Sequence, residues 1–274
     1  MTQKHRMALV TGASSGIGKS IAERLLKDGL TVYVAARSVD KMADLADKGA
    51  IVLALDITKE EQIETVAARI LEEHGGVDVL VNNVGYGQYG PVEDTPIDTA
   101  RYQFEVNLFG LARLTQLLLP AMRDKRQGLI IQISSIGGKV FTPLGAWYHA
   151  TKHALEGWSD CPRLELKPFG IDVVIIEPGF INTGFADTLG GNLTYRKDGA
   201  YADFVGRFEG RVDKSRTTGE GSPPRVVAAT VARAVRASRP RTRYATGQMA
   251  RPLLFMRWIL SDRTFERIIV SQFS

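Results

Sequence analysis

Two ionisable side chains, Tyr148 and Lys152, lie four residues apart in the stretch WYHATK (residues 147–152). On a helix this spacing places both side chains on one face, within reach of a shared partner. A free tyrosine has a pKa of about 10, and a nearby ammonium group lowers that pKa because it stabilises the phenolate. The pair could therefore transfer a proton, or it could be two ordinary residues of a solvated helix.

A glycine-rich loop follows the first apolar segment of the chain. MALVT (residues 7–11) has the character of a short strand, and TGASSGIG (residues 11–18) leads from it into a helical pattern. Glycines at such a junction allow a tight turn, and the helix N-terminus faces a pyrophosphate. This pattern favours a dinucleotide site over a plain turn. The expected binding residues are Gly12, Ser14, Ser15, Gly16, Ile17 and Gly18.

The end of the second apolar segment predicts which dinucleotide binds. An acidic residue there would bind both ribose hydroxyls and favour NAD, whereas a 2′-phosphate needs a cation. This chain has Ala36 followed by Arg37, with no carboxylate before Asp40. Because a guanidinium group matches a phosphate in charge and geometry, we expect Arg37 to favour NADP(H). An arginine that only faces solvent is the alternative.

Apolar strand patterns and helix patterns alternate along the chain. Near-continuous apolar strands indicate a parallel sheet that is covered on both faces by helices. The predicted strands are about residues 7–11, 31–36, 50–55, 77–82, 128–134, 171–177 and 242–246, and the predicted helices are about 16–29, 38–48, 60–74, 97–125, 149–168 and 224–238. We expect residues 1–274 to form a single doubly wound α/β domain.

Two segments depart from this alternation. Residues 185–222 are rich in glycine and polar residues, with one amphipathic stretch around 201–212. A long insertion between a strand and the next helix is usually a flap over a site or a disordered segment, and we favour the flap. The second segment is a C-terminal extension, about residues 247–274, which we expect to be helical.

Composition indicates a globular protein, with 44% hydrophobic and 24% charged residues among 274. No apolar run approaches the roughly 20 residues of a membrane span, and the short polar start makes a secretory signal unexpected. Cys161 is the only cysteine, which excludes an internal disulfide and a cysteine-rich zinc site. We expect a cytoplasmic protein without a metal.

Charge is distributed unevenly along the chain. The net charge is +5, and residues 205–274 hold 14 Lys and Arg against 5 Asp and Glu. Because these arginines are scattered among apolar residues, an amphipathic lid or packing helix is favoured, and no nucleic-acid partner is expected. Peripheral membrane contact through this basic C-terminal region is a less favoured alternative.

Seven motifs together carry a resemblance to a known family. They are the glycine loop, LDIT (55–58), NNVG (82–85), EVNLFG (105–110), ISSIGG (133–138), YHATK (148–152) and EPGFINT (177–183). In order and spacing, residues 5–185 resemble the short-chain dehydrogenase/reductase family. Within it, the chain resembles the NADP(H)-preferring branch of 17β-hydroxysteroid, retinol and carbonyl reductases. The resemblance implies a single Rossmann domain with seven parallel strands and an Asn-Ser-Tyr-Lys catalytic group.

The resemblance implies a role for each catalytic residue. Tyr148 resembles the general acid, and Lys152 the group that lowers the tyrosine pKa and holds the nicotinamide ribose. The serine lies 13 positions before the tyrosine in this branch, which gives Ser135 rather than Ser134. Its hydroxyl would bind the substrate oxygen as negative charge grows there. Asn107 would hold a water of the proton relay through a local distortion of its helix.

The resemblance also implies further contacts with the cofactor. Asp56 and Ile57 would lie against the adenine, and Asn83 and Gly85 would line the back of the cofactor. The residues that would flank the nicotinamide carboxamide and the entry of the flap are Pro178, Gly179, Ile181 and Thr183.

Four residues differ from the family pattern or lack a role in it. Val84 replaces the usual alanine of NNAG, and we expect it to be tolerated. Pro162 is expected to interrupt the catalytic helix, more than two turns beyond Lys152, because an interior proline removes a hydrogen bond and kinks a helix. We expect His149 on the helix surface and Cys161 in packing contacts.

The leading hypothesis is an NADP(H)-dependent oxidoreductase that acts on the carbonyl or secondary alcohol of a bulky apolar substrate, such as a steroid, a retinoid or an aromatic ketone. A 3-oxoacyl-thioester reductase is an alternative of the same class, and the basic tail would then meet an acidic carrier protein or coenzyme A. A non-catalytic NADP(H)-binding sensor is another alternative, although such relatives typically lose the tyrosine or the lysine. The family implies a homodimer or homotetramer, and Pro162 lies in the helix that usually contacts the partner subunit.

Overall fold

Seven parallel strands form the central sheet of the residues described in the computed structural model, which are 5–183 and 192–272. The strands are β1 (Met7–Thr11), β2 (Thr31–Ala36), β3 (Ile51–Ala54), β4 (Val79–Asn82), β5 (Gly128–Ile133), β6 (Ile171–Pro178) and β7 (Arg243–Thr246). Their order is β3-β2-β1-β4-β5-β6-β7, and each neighbouring pair is parallel. The strand order changes direction between β1 and β4, and doubly wound folds bind ligands at the carboxyl edge of such a point.

Helices cover both faces of this sheet. They are α1 (Gly16–Lys27), α2 (Ala43–Asp47), α3 (Glu60–His74), α4 (Ile97–Phe104), α5 (Gly110–Asp124), α6 (Ala146–Glu165), α7 (Ala202–Thr218), α8 (Arg225–Arg236), α9 (Ala250–Ile259) and α10 (Asp262–Ser271). Side chains of α1, α2 and α8 belong to the hydrophobic core on one face, and side chains of α3, α5 and α6 belong to the core on the other. The predicted doubly wound α/β fold is confirmed.

The strand residues alternate between the two hydrophobic cores. Val10 in β1 and Val34 in β2 belong to one core, whereas their neighbours Leu9 and Tyr33 belong to the other. All four side chains are fully buried. Successive side chains of a strand point to opposite faces, so a sheet with helices on both faces requires the continuous apolar runs that the sequence contains.

The helix predicted over residues 97–125 is divided by a π-helical turn at Glu105–Phe109. α4 ends before this turn and α5 begins after it. Asn107 lies within the turn and is fully buried. The structure therefore has the local helix distortion that the resemblance implied at Asn107, and π-turns of this kind are frequent at functional sites.

Pro162 does not interrupt α6, so that prediction is wrong. The helix runs from Ala146 through Pro162 to Glu165. A proline this close to the helix end removes one hydrogen-bond donor, and its own carbonyl still accepts the Leu166 N–H at 2.8 Å. The first turns of α6 are therefore independent of the proline.

The C-terminal extension consists of α9 and α10, joined by a short turn. Ala250, Phe265 and Ile269 from this extension form a small core with Ile136 and Val140, which follow β5. The extension is thus anchored beside the loop that carries the ISSIGG motif.

Candidate active site

Tyr148 and Ser135 lie together at the carboxyl edge of the sheet. Tyr148 is in the first turn of α6, and Ser135 directly precedes a short 3-10 turn after β5. Their side chains are hydrogen-bonded, and the Ser135 Oγ also accepts the Gly137 N–H at 3.0 Å. A hydroxyl oxygen can accept this amide proton and still donate its own, so Ser135 retains a proton that it can donate to an oxygen.

The neighbouring Ser134 has a different environment. Its side chain is 4% exposed, and its Oγ has no hydrogen-bond partner among the described residues. Ser135 is only half-buried and contacts the tyrosine. This geometry favours Ser135 over Ser134, in agreement with the count of 13 positions, and the catalytic role of Ser135 stays a prediction.

Burial raises the pKa of Tyr148 above its ordinary value, and the hydrogen bond with Ser135 opposes that shift. The direction is opposite to the lowering that we expected from Lys152. The phenol is 7% exposed, and exclusion of water disfavours its charged form. Tyr148 is therefore protonated at neutral pH.

Lys152 is buried one helical turn after Tyr148. Its Nζ donates to the Ile133 carbonyl oxygen at 3.0 Å, at the end of β5. Burial lowers the pKa of Lys152 to about 8, and the negative charge of Glu156 opposes this shift. The ammonium form therefore predominates at pH 7, and Lys152 supplies a positive charge at the carboxyl edge of the sheet.

Asn107 closes the same part of the site. Its Nδ2 donates to the Tyr86 carbonyl oxygen at 2.9 Å and to the Thr151 Oγ1 at 3.0 Å. A Cβ placed on Gly85 would lie 3.2 Å from the Asn107 Oδ1 and 3.6 Å from the Lys152 Nζ. Because Gly85 has no side chain, the backbone after β4 can pass close to the Asn107 amide and the Lys152 ammonium group.

The glycine loop has the geometry of a phosphate cradle. Gly12 and Gly16 adopt positive φ angles of 66° and 54°, which side chains with a Cβ rarely adopt. A Cβ on Gly18 would collide with the Gly12 carbonyl oxygen and with the Asn83 side chain. Asn83 itself holds the loop, because its Nδ2 donates to the Thr11 carbonyl oxygen at 2.9 Å.

The loop between β1 and α1 leads directly into the helix N-terminus at Gly16, which Ser15 precedes in an extended conformation. Backbone N–H groups at such a terminus bind a pyrophosphate well. The residues present therefore fit a dinucleotide. Ser14 and Ile17 are half-buried within the same loop.

Arg37 lies directly after β2 with an exposed side chain, and it forms no ion pair within the described part of the chain. Burial raises the pKa of Tyr86 to about 12, and the positive charge of Arg37 opposes that shift. After β3, the Asp56 Oδ1 accepts the Thr58 N–H at 3.0 Å. Ile57 is 3% exposed and belongs to the hydrophobic core, so its side chain offers little surface to an adenine.

The loop after β6 reaches across the crevice to the glycine loop. β6 ends at Pro178, and a Cβ on Gly179 would collide with the Gln248 carbonyl oxygen. The Thr183 side chain lies 3.5 Å from the position of a Cβ on Gly16. Ile181 packs against the core and pairs with the segment before α8. The loop thus borders the region where the resemblance places the nicotinamide.

His149 is buried, so the expectation of a surface histidine is wrong. Its Nε2 accepts the Thr142 N–H at 3.1 Å, and its Nδ1 lies 3.0 Å from the Gly137 carbonyl oxygen. Because the Nε2 accepts an amide proton, the neutral ring carries its proton on Nδ1 and donates it to Gly137. Gly137 in turn donates its N–H to Ser135. His149 therefore fixes the carbonyl group of Gly137, the residue whose N–H is bonded to Ser135.

A sequence signal for the burial of His149 was present. His149, Lys152 and Glu156 follow the i, i+3, i+7 spacing of one helix face. All three are less than 8% exposed. Cys161, in contrast, is exposed rather than packed, so that expectation was also wrong.

Aromatic side chains cover Tyr148. The Tyr89 ring lies 5.6 Å from the Tyr148 ring, and the Phe208 ring of α7 stacks on Tyr89 at 5.7 Å. Leu193 and Val212 pack on the same cluster. The described part of the predicted flap, residues 192–222, therefore lies over the candidate catalytic tyrosine. Residues 184–191 lie outside the described residues.

A family model described as short chain dehydrogenase matches residues 6–193, which contain every motif of the site. The chain belongs to the short-chain dehydrogenase family. It is an oxidoreductase with an NAD(P)-binding fold, in agreement with the glycine-loop geometry. The resemblance that the motifs carried is confirmed.

Several relatives match this short-chain dehydrogenase over nearly its whole length. It is 36% identical over 273 residues to an NADPH-dependent 3-dehydrocapnine reductase of Ornithobacterium rhinotracheale, with 96% and 95% of the two chains covered. It is 34% identical over 248 residues to a 3-ketodihydrosphingosine reductase of Bacteroides thetaiotaomicron, with 90% of each covered. A crystal structure of a short-chain dehydrogenase from Streptomyces avermitilis is 36% identical and superposes with a TM-score of 0.82, covering 99% and 96%.

Two negative findings apply to residues 5–183 and 192–272. No helix there combines the length and the apolar character that crossing a membrane requires. No three His, Cys, Asp or Glu side chains in this part of the chain converge on a position that could hold a metal ion.

Proposed function

We propose that this short-chain dehydrogenase is an NADP(H)-dependent reductase that converts the ketone of a bulky apolar substrate into a secondary alcohol. The observation that carries the proposal is the buried, protonated Tyr148, hydrogen-bonded to Ser135 beneath an apolar aromatic cover. A ketone oxygen next to these two hydroxyl groups would receive two hydrogen bonds.

When bound, NADPH would supply the hydride for the ketone carbon. As negative charge grows on the ketone oxygen, the Ser135 hydroxyl donates a hydrogen bond to it and Tyr148 donates its proton. Lys152, mostly charged at pH 7, stabilises the phenolate that Tyr148 leaves behind. The proton thus moves from the Tyr148 hydroxyl to the substrate oxygen, and the product is an alcohol.

The protonation state of Tyr148 supports reduction as the proposed direction of reaction. Reduction needs the phenol as a proton donor, whereas alcohol oxidation needs the phenolate as a proton acceptor. Burial raises the pKa of Tyr148 and so favours the phenol. The names of both full-length relatives describe reductases, which supports the same direction.

Arg37 supports NADP(H) as the cofactor. Its exposed guanidinium follows β2, where a 2′-phosphate would need a cation, and the described residues supply no carboxylate partner to neutralise it. The full-length relative of Ornithobacterium rhinotracheale is named as NADPH-dependent. The other cofactor contacts would be those of the glycine loop, Asp56, Asn83, Gly85 and the loop after β6, with Ile57 contributing through its backbone because its side chain is buried.

The aromatic cover and the relatives support an amphiphilic long-chain ketone as the substrate. Tyr89, Phe208, Leu144 and Leu193 form an apolar cluster around Tyr148. Apolar surroundings of this kind favour hydrocarbon chains. One full-length relative is named for 3-ketodihydrosphingosine, a long-chain lipid ketone. We therefore place long-chain 3-ketones ahead of steroids and retinoids among the bulky apolar candidates.

A substrate screen tests the proposal. NADPH absorbance is followed with 3-ketodihydrosphingosine, a 3-oxoacyl thioester, a steroid ketone, a retinaldehyde and an aromatic ketone, each at equal concentration. The expected result is oxidation of NADPH with the long-chain 3-ketone and little oxidation with the thioester. No NADPH oxidation with any of the five carbonyl compounds would refute the proposal, and a preference for the thioester would favour a 3-oxoacyl-thioester reductase.

A further inference from the structure

The outward face of α9 carries an exposed apolar stripe. Phe255, Trp258 and Ile259 are 58%, 81% and 51% exposed, and the rings of Phe255 and Trp258 are 6.1 Å apart. Their i, i+3, i+4 spacing places them on one side of the helix. The other side, with Leu253 and Met256, packs on the protein core. α9 is thus apolar around most of its circumference but packed on only one side, and such a helix needs a second apolar contact.

Arginines flank this stripe in the sequence. Arg251 lies one turn before Phe255 and is exposed, as are Arg263 and Arg267 of α10. Residues 250–272 contain four arginines and two carboxylates, and one of these carboxylates, Asp262, is already paired with Arg257 at 2.8 Å. The segment therefore favours a partner that is apolar and carries negative charge.

The stripe alone is smaller than a standard subunit interface. Three side chains of these sizes, exposed to these fractions, present on the order of 400 Å² in total. A standard protein interface buries about 800 Å² on each partner. Tryptophan and phenylalanine flanked by arginine are typical of segments that lie in the headgroup region of an anionic bilayer, where insertion of a few side chains is sufficient.

The surface adjoins the cover of the candidate active site. At the end of α10, the Gln272 carbonyl oxygen accepts a hydrogen bond from the Arg211 Nη1 at 2.8 Å. Arg211 belongs to α7, the helix whose Phe208 lies over Tyr89 and Tyr148. The C-terminal helices and the flap helix are therefore joined directly.

We propose that α9 is a membrane-docking helix that inserts Phe255, Trp258 and Ile259 into the headgroup region of an anionic bilayer. Arg251, Arg263 and Arg267 hold it there through lipid phosphates and anionic headgroups. Docking would bring the flap next to the bilayer, from which a long-chain ketone can enter. The role in substrate entry rests on the proposed function, whereas the docking itself does not.

Vesicle binding of the full-length protein tests the docking. Wild type, Trp258→Glu and Val39→Glu are mixed with vesicles of phosphatidylcholine and phosphatidylglycerol (3:1) or of phosphatidylcholine alone, and the bound fraction is measured by co-sedimentation. Val39 is the matched control, because it is 43% exposed, follows β2 on the side of the sheet away from β7 and α9, and receives an added charge of the same sign. Sedimentation velocity without lipid reports the oligomeric state of each variant, and far-UV circular dichroism reports its folding.

Wild type and Val39→Glu should bind the anionic vesicles, and Trp258→Glu should need at least about tenfold more lipid for half-binding. Wild type should bind phosphatidylcholine alone much more weakly. Absence of wild-type binding to the anionic vesicles, or equal binding by the folded Trp258→Glu protein, would overturn the proposal. A smaller oligomer for Trp258→Glu without lipid would also overturn it, because the stripe would then be a contact between copies of the chain. None of these readings depends on turnover, so failure of the proposed reductase activity would be seen separately in the substrate screen.

Discussion

His149 offers a sharp test of how the catalytic serine is held. The variant His149→Leu keeps a side chain of similar bulk but removes the acceptor for the Thr142 N–H and the donor to the Gly137 carbonyl. Each backbone group left unpaired costs about 1–3 kcal/mol. We therefore expect the free energy of unfolding to fall by about 2–4 kcal/mol, since Thr142 is only half-buried.

The variant His149→Gln is the matched control, because its amide has one donor group and one acceptor oxygen at the end of a chain of similar reach. It should retain most of the stability and most of kcat. His149→Leu should lower kcat by roughly tenfold or more, because loss of the bond to the Gly137 carbonyl loosens the residue whose N–H is bonded to Ser135, while the Kd for NADPH should change little. Equal kcat values for the two variants would refute the positioning role.

The pH dependence of the free energy of unfolding gives a second test of the burial of His149. Burial lowers its pKa in the folded state, so the folded protein binds this proton less readily than the unfolded chain. The stabilising contribution is present above the unfolded pKa of about 6.5 and is lost as pH falls below it, by up to about 1.4 kcal/mol per pH unit. Urea unfolding at pH 7.5 and 5.5 should therefore show a larger loss for wild type than for His149→Gln. Identical losses would contradict the assignment of a buried neutral imidazole.

Three further predictions concern serine choice, cofactor choice and the aromatic cover. Ser135→Ala should lower kcat by roughly 10²-fold, whereas Ser134→Ala removes no hydrogen bond and should retain most activity; the reverse ranking would show that the wrong serine was assigned. Arg37→Ala should weaken NADPH binding by about 1–3 kcal/mol and leave NADH binding nearly unchanged, and equal affinities of wild type for the two cofactors in a fluorescence titration would contradict the role of Arg37. Phe208→Ala should raise KM for a long-chain ketone by roughly tenfold through lost aromatic contact, and an unchanged KM would show that α7 does not cover the substrate.

Much of the fold could be predicted because its signals are local. The apolar strands and the glycine turn at Gly12 and Gly16 follow from periodicity and from backbone conformations that only glycine readily adopts. The spacing of Tyr148 and Lys152 on one helix face also depends only on helix geometry. The predicted strands and helices therefore occur where the sequence placed them, within a few residues.

The features that were missed depend on contacts between distant segments. Tyr148 was expected to have a lowered pKa from the charge of Lys152, but Phe208 and Tyr89 bury it and raise that pKa. Phe208 is 60 residues away from Tyr148 in the sequence, and no local pattern shows that its helix packs on the tyrosine. Burial of His149 is the exception, because its helix-face spacing with Lys152 is visible in the sequence.

A comparison of wild type and Tyr148→Phe in single-turnover reduction tests whether Tyr148 is the proton donor. Phenylalanine keeps the ring packing against Tyr89 but deletes the proton that the ketone oxygen must receive. We expect NADPH to bind both proteins with similar affinity, and oxidation of NADPH by a long-chain 3-ketone to fall by at least about 10³-fold in Tyr148→Phe, within the range that general acid catalysis contributes. A Tyr148→Phe protein that retains most of its turnover would contradict the assignment of Tyr148 as the proton donor.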